Sequence, residues 1–210
     1  MFGRLGEDFL SSIVTTDETW MYLYDPETKG QSAVWRELGT PPPQKARVSR
    51  SAGKQMYIMF ADMRGMILCH AIPPHTTVNA EYYSKVLRRD LMHALAKKRR
   101  GLSVESIRLH QDNASPHTAA LTQSEIDVLG FKRLSHPAYS PDLAPFDFSL
   151  FPHIKGQLKG RKFETLHDLQ NAVFGIIRTI PSDFYRDTFL KWVDRHRRCI
   201  ECNGEYFEKL

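Results

Sequence analysis

The distribution of apolar residues predicts strands in the first third of the chain and alternating strands and helices after it. Residues 13–24 read IVTTDETWMYLY, in which β-branched and aromatic residues dominate as in a β-strand. We expect a shorter strand at 32–36 and a hairpin made of 56–62 and 65–72. Because later strands alternate with helices, the pattern predicts an α/β architecture with a mixed sheet and helices on its faces.

Apolar residues at three- and four-residue spacing mark the helices. Asn79 is placed to cap a helix that ends in the basic run 97–100 and stops at Gly101. A strand at 107–111 leads into a polar turn, and a short strand follows at 131–134. Further helices are expected at 118–129, 145–158, 165–180 and over most of 182–207.

Composition restricts the classes of protein that fit. With 41% hydrophobic and 25% charged residues, the 210 residues can build one folded domain over 1–210. No apolar run approaches the roughly 18 residues of a membrane span, and the first residues do not read as a signal peptide. Three cysteines are too few for a disulfide framework and fit a reducing compartment. The net charge of +5 is compatible with a polyanionic partner.

A basic, proline-rich segment, GTPPPQKARVSRSAGK, covers residues 39–54. Val48 is its only strongly apolar residue, so the segment cannot be a core element and is predicted to be an exposed loop. Its basic residues are candidates for contact with a polyanion or with an acidic partner surface, although a charged run is often only solvated. The candidates are Lys45, Arg47, Arg50 and Lys54.

Three aspartates occupy positions where a local preference is broken or an element ends. Asp17 is in the middle of the first strand, where aspartate is unfavourable, Asp112 follows a later strand, and Asp147 begins a helix. These positions can meet at one edge of a sheet, where three carboxylates would repel one another unless a cation neutralised them. Hard oxygen ligands suit Mg²⁺ or Mn²⁺, and a basic surface beside them favours phosphodiester chemistry. The alternative is that all three are turn formers and helix caps.

The polar residues beside these aspartates have several possible roles. Residues on either side of Asp112 can orient it, touch the backbone of a phosphodiester substrate or hold a tight turn. Glu18 is expected on the face of the sheet opposite to Asp17, so we leave it out of the site. The neighbours of Asp112 are His110, Asn113 and His117.

Four segments, in this order, resemble the catalytic domain of mariner-family DNA transposases, within the mariner/Tc1 superfamily. They read IVTTDETW, HQDNASPHTA, YSPDLAPFDFSLF and WVDRHRRCIECNGEYFE. The 34 residues between Asp112 and Asp147, 113–146, match the mariner spacing with a third Asp, rather than the Glu of Tc1-like relatives. The chain departs from the family pattern at Gln111 and Phe146, and neither departure removes an aspartate.

The resemblance implies an RNase H-like fold in which Asp17, Asp112 and Asp147 form a catalytic, metal-binding triad. It implies two Mg²⁺ or Mn²⁺ ions, with Asp17 contacting both and the other two aspartates completing one site each. The implied reaction is cleavage of DNA at transposon ends and transfer of the 3′-OH into target DNA at TA sites. The implied partners are the inverted-repeat ends, the TA target and a second copy of the protein in the nucleus, with no membrane and no small-molecule substrate.

The resemblance also implies a role for the basic loop and the presence of further domains in the protein. The basic loop falls where mariner transposases carry a clamp loop that contacts the other subunit. The helix-turn-helix domains that precede the catalytic domain in the family are not found, so we expect a fragment of a longer protein. The intact Asp147 favours activity over the alternative, a domesticated and catalytically silent DNA-binding or assembly module. The YSPDL segment disfavours an RNA-cleaving RNase H-like enzyme.

Overall fold

A mixed five-stranded sheet organises the computed structural model, which describes residues 6–28, 30–31, 49–205 and 207. The strand order is β3-β2-β1-β4-β5. The strands are β1 (Ile13–Tyr22), β2 (Lys54–Asp62), β3 (Gly65–Ala71), β4 (Arg108–His110) and β5 (Lys132–Leu134). Strands β1, β2 and β3 are antiparallel neighbours, whereas β4 and β5 run parallel to β1. The predicted mixed sheet and hairpin are confirmed, and the expected strand at 32–36 lies outside the described residues.

Helices cover both faces of this sheet. They are α1 (Glu7–Ser11), α2 (Ala80–Lys85, Val86–Leu91 and Met92–Lys98), α3 (Ser115–Thr118), α4 (Ala120–Leu129), α5 (Phe146–Leu150 and Phe151–Leu158), α6 (Leu166–Thr179) and α7 (Ser182–Glu201). The middle stretch of α2 and the first stretch of α5 are π-helical. Among the described residues, no helix is both long and apolar enough to cross a membrane.

The predicted helices are confirmed with small differences at their ends. Asn79 caps α2 by accepting a hydrogen bond from the Tyr82 N–H, and Gly130 ends α4 with a left-handed φ of 88°. The single helix expected over 118–129 is divided into α3 and α4, because Ala119 is extended with ψ at 140°. Helix α1 has no counterpart in the sequence prediction, since five residues carry too little periodicity.

The alternation of side chains along β1 divides the core into two layers. Val14 faces one side and packs with Phe60 against α2 and α4. Met21 faces the other side and packs with Met59 against α5 and α6. Because alternate residues point to opposite faces, Asp17 belongs to the α5 side and its neighbour Glu18 to the α2 side.

The pairing of β1 with β4 sets the level of the candidate site. The two strands are parallel, and Thr15 is paired with His110. Asp17 follows Thr15 by two residues and Asp112 follows His110 by two, so both aspartates reach the same level at this end of the sheet. The sheet therefore brings together two carboxyl groups that are far apart in sequence.

A capping box fixes the start of α6. The Thr165 Oγ1 accepts a hydrogen bond from the Asp168 N–H at 3.1 Å, and the Asp168 Oδ2 accepts one from the Thr165 N–H at 3.1 Å. Loss of such a cap costs about 1 kcal/mol, so we expect Thr165→Ala to lower Tm by about 2–4 °C. Thermal unfolding measures this shift, and Thr165→Ser, which keeps the hydroxyl, serves as the control. Equal melting of Thr165→Ala and the wild type would contradict the assignment.

Candidate catalytic site

Asp17 forms the partly buried centre of the site. Its Oδ1 accepts a hydrogen bond from the Glu18 backbone N–H at 2.7 Å, and its carboxyl group lies near enough to that of Asp147 for the charge of Asp147 to raise the pKa of Asp17. Burial, followed by the negative charges of Asp147 and Glu18, raises the pKa of Asp17 from 3.8 to about 8. Neighbouring carboxyl groups resist ionising together, so this pair favours either protonation of one group or a bound cation.

Asp147 lies in the π-helical first turn of α5. Phe146 and Leu150 are completely buried in the core shared with α6, which fixes this turn against the sheet. Asp147 itself reaches the solvent. Partial desolvation of its carboxyl group raises its pKa, and Lys155, farther along the same helix, opposes the shift. The core residues thus hold an exposed carboxylate beside Asp17.

Asp112 is hydrogen-bonded to a buried histidine. His117 is only 1% exposed and donates from Nδ1 to the Asp112 Oδ1 at 2.6 Å and from Nε2 to the Glu18 Oε1 at 3.1 Å. The His117 hydrogen bond is the largest cause of the lowered pKa of Asp112. Burial alone would lower the pKa of His117, but its hydrogen bonds to both carboxylates outweigh burial and raise the pKa to about 10.

Glu18 is a site residue that the sequence argument left out. It does lie on the face opposite to Asp17, as expected from the alternation along β1. His117 nevertheless connects it to Asp112 through a chain of two hydrogen bonds. The sequence signal for Glu18 is that two acidic residues, Asp17 and Glu18, stand together in the middle of a strand, where each is unfavourable.

A second cluster of aromatic rings supports the strand that leads to Asp112. His110 is 2% exposed, and its ring nitrogens lie 3.0 Å from the Thr15 Oγ1 and 3.1 Å from the His136 Nδ1. Its ring packs 4.6 Å from that of Trp192. Burial lowers the pKa of His110 to about 3, so the ring is neutral at pH 7. His110 and His117 are therefore buried supports, with no ring surface available to DNA.

The other predicted contact residues have different positions. Asn113 is exposed and donates from Nδ2 to the His136 backbone O at 2.9 Å. The Arg50 guanidinium lies 4.4 Å from the Tyr22 ring centroid and is paired with Asp25. The Lys54 ammonium lies 4.0 Å from the Trp20 ring centroid. Two further predicted residues, Lys45 and Arg47, and most of the loop 39–54, lie outside the described residues.

The donor set fits a hard divalent cation, although the side chains are not gathered around one point. Within the described ranges, no group of three or more His, Cys, Asp or Glu side chains is arranged closely enough to hold a metal ion as it stands. Asp17 and Asp147 lie near each other, and the nearby charge of Asp112 raises the pKa of both. Mutually repelling carboxylates are the donors that Mg²⁺ or Mn²⁺ prefers.

Comparisons of the sequence with known proteins point to one group. A family model described as a transposase (partial DDE domain) matches residues 25–104, a range that contains none of the three aspartates. The mariner Mos1 transposase of Drosophila mauritiana is 32% identical over 205 residues, which are 96% of this chain and 58% of Mos1. The human histone-lysine N-methyltransferase SETMAR is also 32% identical over 205 residues, or 96% of this chain and 29% of SETMAR. The chain thus spans less than two thirds of either relative.

Solved structures give the same result for the fold. The crystal structure of the Mos1 catalytic domain has a TM-score of 0.76 at 28% identity, and the match covers 95% of this chain and 86% of that chain. A Mos1 paired-end complex with the left transposon end has a TM-score of 0.86 at 32% identity, covering 95% of this chain and 57% of that one. The predicted RNase H-like fold is confirmed. By sequence and by fold, the chain is similar to the catalytic domain of a mariner transposase.

Proposed function

We propose that this chain is the catalytic domain of an active, metal-dependent DNA transposase. In this proposal it cleaves DNA at transposon ends and joins the 3′-OH to target DNA at TA sites. The observation that carries the proposal is the cluster of three neighbouring carboxyl groups, Asp17, Asp147 and Asp112, on an RNase H-like fold. Such a cluster is electrostatically unfavourable in the free protein, and a bound cation would relieve it.

Relatives support the assignment of metal and partners. Mos1 structures are described as a paired-end complex with the left transposon end and as a strand transfer complex, and others contain Mg or Mn. By homology we propose two Mg²⁺ or Mn²⁺ ions, transposon and target DNA, and a homodimer as the partners of this chain. We further propose that it acts in the nucleus, where such DNA is found.

Each side chain has a distinct part in the proposed reaction. Asp17, Asp112 and Asp147 would hold the cations, which when bound supply an activated water and neutralise charge on the phosphate. His117 orients the Asp112 carboxylate from inside the protein. Lys155 carries a partly desolvated ammonium near Asp147, where it is placed to attract a DNA phosphate.

A cleft beside β1 is suited to the DNA backbone. Its volume is about 250 Å³, and Trp20, Tyr22, Arg50 and Lys155 are among the residues that line it. Cations over aromatic rings are a common surface for nucleic-acid strands. We therefore propose that Arg50 and Lys54 contact DNA rather than serve only as solvated charges, and we extend the same role to Lys45 and Arg47.

A second candidate function is a catalytically silent DNA-binding or assembly module. The observation that favours it is the match to SETMAR, a protein named for a methyltransferase activity, in which the matched part is only 29% of the chain. A mariner-like domain thus occurs within a protein of another named function. The intact Asp147 favours the active enzyme.

Metal binding and DNA nicking separate the two functions. We expect calorimetry to detect Mg²⁺ and Mn²⁺ binding to the wild-type chain and no binding to Asp112→Asn, because the amide removes a charged ligand. The same proteins are then incubated with supercoiled plasmid DNA and either metal, and nicked and joined products are counted. Asp142→Asn, which changes a nearby aspartate outside the cluster, is the matched control and should behave as the wild type.

Two outcomes would contradict the active enzyme. Metal-dependent nicking that persists in Asp112→Asn would remove Asp112 from the chemistry. Metal and DNA binding by the wild type without nicking would instead support the silent module. Circular dichroism of each variant shows whether the fold is retained, so loss of activity is not confused with unfolding.

A further inference from the structure

A completely exposed tyrosine stands at the rim of the cleft that contains two of the three aspartates. The cleft has a volume of about 380 Å³, and Asp112, Asp147, His136 and Tyr139 are among its lining residues. The Tyr139 side chain buries none of its surface against the protein. An aromatic ring left in water at the edge of a charged cleft is a candidate for contact with a ligand.

The backbone of Tyr139 is held in an unfavourable conformation. Its φ is 53°, in the left-handed region that glycine and asparagine enter readily and aromatic residues rarely do. Pro137 and Pro141 restrict the chain on both sides of it. Strain of this kind persists only where the surrounding structure imposes it, and it is concentrated at functional sites.

Hydrogen bonds fix both ends of this loop. On one side, the His136 backbone O accepts from Asn113 at 2.9 Å, and the His136 ring lies 3.1 Å from the buried His110. On the other side, the Trp192 Nε1 donates to the Leu143 backbone O at 2.6 Å. The loop therefore holds the backbone of Tyr139 in place and points its side chain into solvent, which lowers the backbone entropy lost when a ligand packs against the ring.

We propose that Tyr139 stacks on a nucleobase at the end of the DNA strand whose phosphate lies at the aspartates. This inference rests on the proposed function, since it takes DNA as the occupant of the cleft. A phosphate beside Asp112 and Asp147 brings its own nucleotide to the cleft rim, where the ring is the apolar surface available to the base. The base must be terminal or unpaired, because bases inside a duplex are already stacked on both sides.

Fluorescence of 2-aminopurine tests the stacking directly. The probe is a DNA duplex with a three-nucleotide 3′ overhang that carries 2-aminopurine, titrated with the chain in Mg²⁺. Tyr139→Asn removes the ring but suits the left-handed backbone, whereas Tyr139→Phe keeps the ring. We expect quenching and tight binding with the wild type and with Tyr139→Phe, and an affinity about 5- to 150-fold lower with Tyr139→Asn.

An abasic overhang identifies the partner of the ring. Removing the base should weaken binding of the wild type to the level of Tyr139→Asn and leave the variant itself unaffected, because both changes delete the same contact. Val128→Ala, which trims an exposed side chain on α4 away from the cleft, is the control and should bind as the wild type does. A Tm of Tyr139→Asn at or above that of the wild type would show that the loop remains folded, since asparagine relieves the backbone strain.

The outcomes separate this inference from the proposed function. If the wild type nicks DNA but Tyr139→Asn binds the probe equally well, stacking is overturned and the proposed function stands. If quenching depends on Tyr139 but neither metal supports nicking, stacking is supported and the active enzyme is overturned. If Tyr139→Asn changes the sedimentation of the free chain and not its DNA binding, the ring is a contact between protomers and the proposal is wrong.

Discussion

Asp17→Asn is expected to abolish DNA cleavage and, at the same time, to make the metal-free protein more stable. Removing one essential catalytic group lowers activity by an amount on the order of 10⁴-fold. Asp17 is partly buried near Asp147, and its pKa is raised to about 8, so its ionised form opposes folding. A neutral amide of the same shape removes this repulsion, and a gain of about 1 kcal/mol would raise Tm by about 2–4 °C.

The raised pKa of Asp17 also predicts how the folding stability changes with pH. The pKa of Asp17 is about 8 in the folded chain and 3.8 for the ordinary group, so folding takes up a proton between these values. Stability from this group is complete below pH 3.8 and is lost as the pH rises through about 8. Asp17→Asn should flatten that decline by up to about 1.4 kcal/mol per pH unit.

Thermal unfolding of each protein with and without Mg²⁺ measures both the stability of the metal-free form and the stabilisation by the metal. Mg²⁺ should raise the Tm of the wild type, because ligands of the folded state stabilise it, and leave Asp17→Asn unchanged. Asp127→Asn, at an exposed aspartate paired with Arg133, is the matched control. A less stable, cleavage-competent Asp17→Asn would show that Asp17 has a structural role instead.

His117→Gln is expected to weaken metal binding and the fold together. The glutamine amide can replace Nε2 toward Glu18 but not Nδ1 toward Asp112, which loses its orienting donor. Loss of a hydrogen bond that orients a ligand lowers metal affinity by about 10- to 100-fold. Asp112 is exposed, so water can replace the lost donor, and losing the hydrogen bond costs the fold about 0.5–1.5 kcal/mol. Calorimetry and denaturant unfolding measure the two quantities.

His117→Asn is the matched comparison, because its shorter amide takes the place of Nδ1 and keeps the bond to Asp112. It should retain most of the metal affinity while losing the contact with Glu18. The pKa of His117 is raised from 6.5 to about 10, so its stabilising charge is complete below pH 6.5 and is lost as the pH rises through about 10. The stability gap between the wild type and either variant should therefore narrow at alkaline pH. Equal metal affinities for both variants would show that His117 does not orient Asp112.

Much of the fold follows from local pattern. The alternation in β1, the Asn79 cap and the helix end at Gly130 are each governed by interactions within a few residues, and the structure confirms them. The placement of Asp17 in a strand and of Asp112 beyond a strand end was predictable for the same reason. Local rules of this kind carry over from sequence to structure without knowledge of the tertiary contacts.

The rest depends on contacts between distant segments. The link between Glu18 and His117 joins residues 99 positions apart, and its formation depends on where α3 packs over the sheet. The left-handed Tyr139 and its fully exposed ring follow from supports on β4 and α7, which no local preference encodes. The sequence pointed to the three aspartates and to His117 as a neighbour that can orient Asp112, but not to Glu18, which His117 joins to Asp112.

The π-helical start of α5 makes the length of this helix a constraint on the chemistry. A π turn accommodates one residue more than an α turn, and Asp147 lies within it, between two residues anchored in the core. Deleting one residue between 147 and 150 would let the turn relax to an α-helix and rotate Asp147 by about 100° relative to the anchored part of the helix. In an alignment of homologues, single-residue gaps at this point would therefore separate active enzymes from descendants that have lost the reaction.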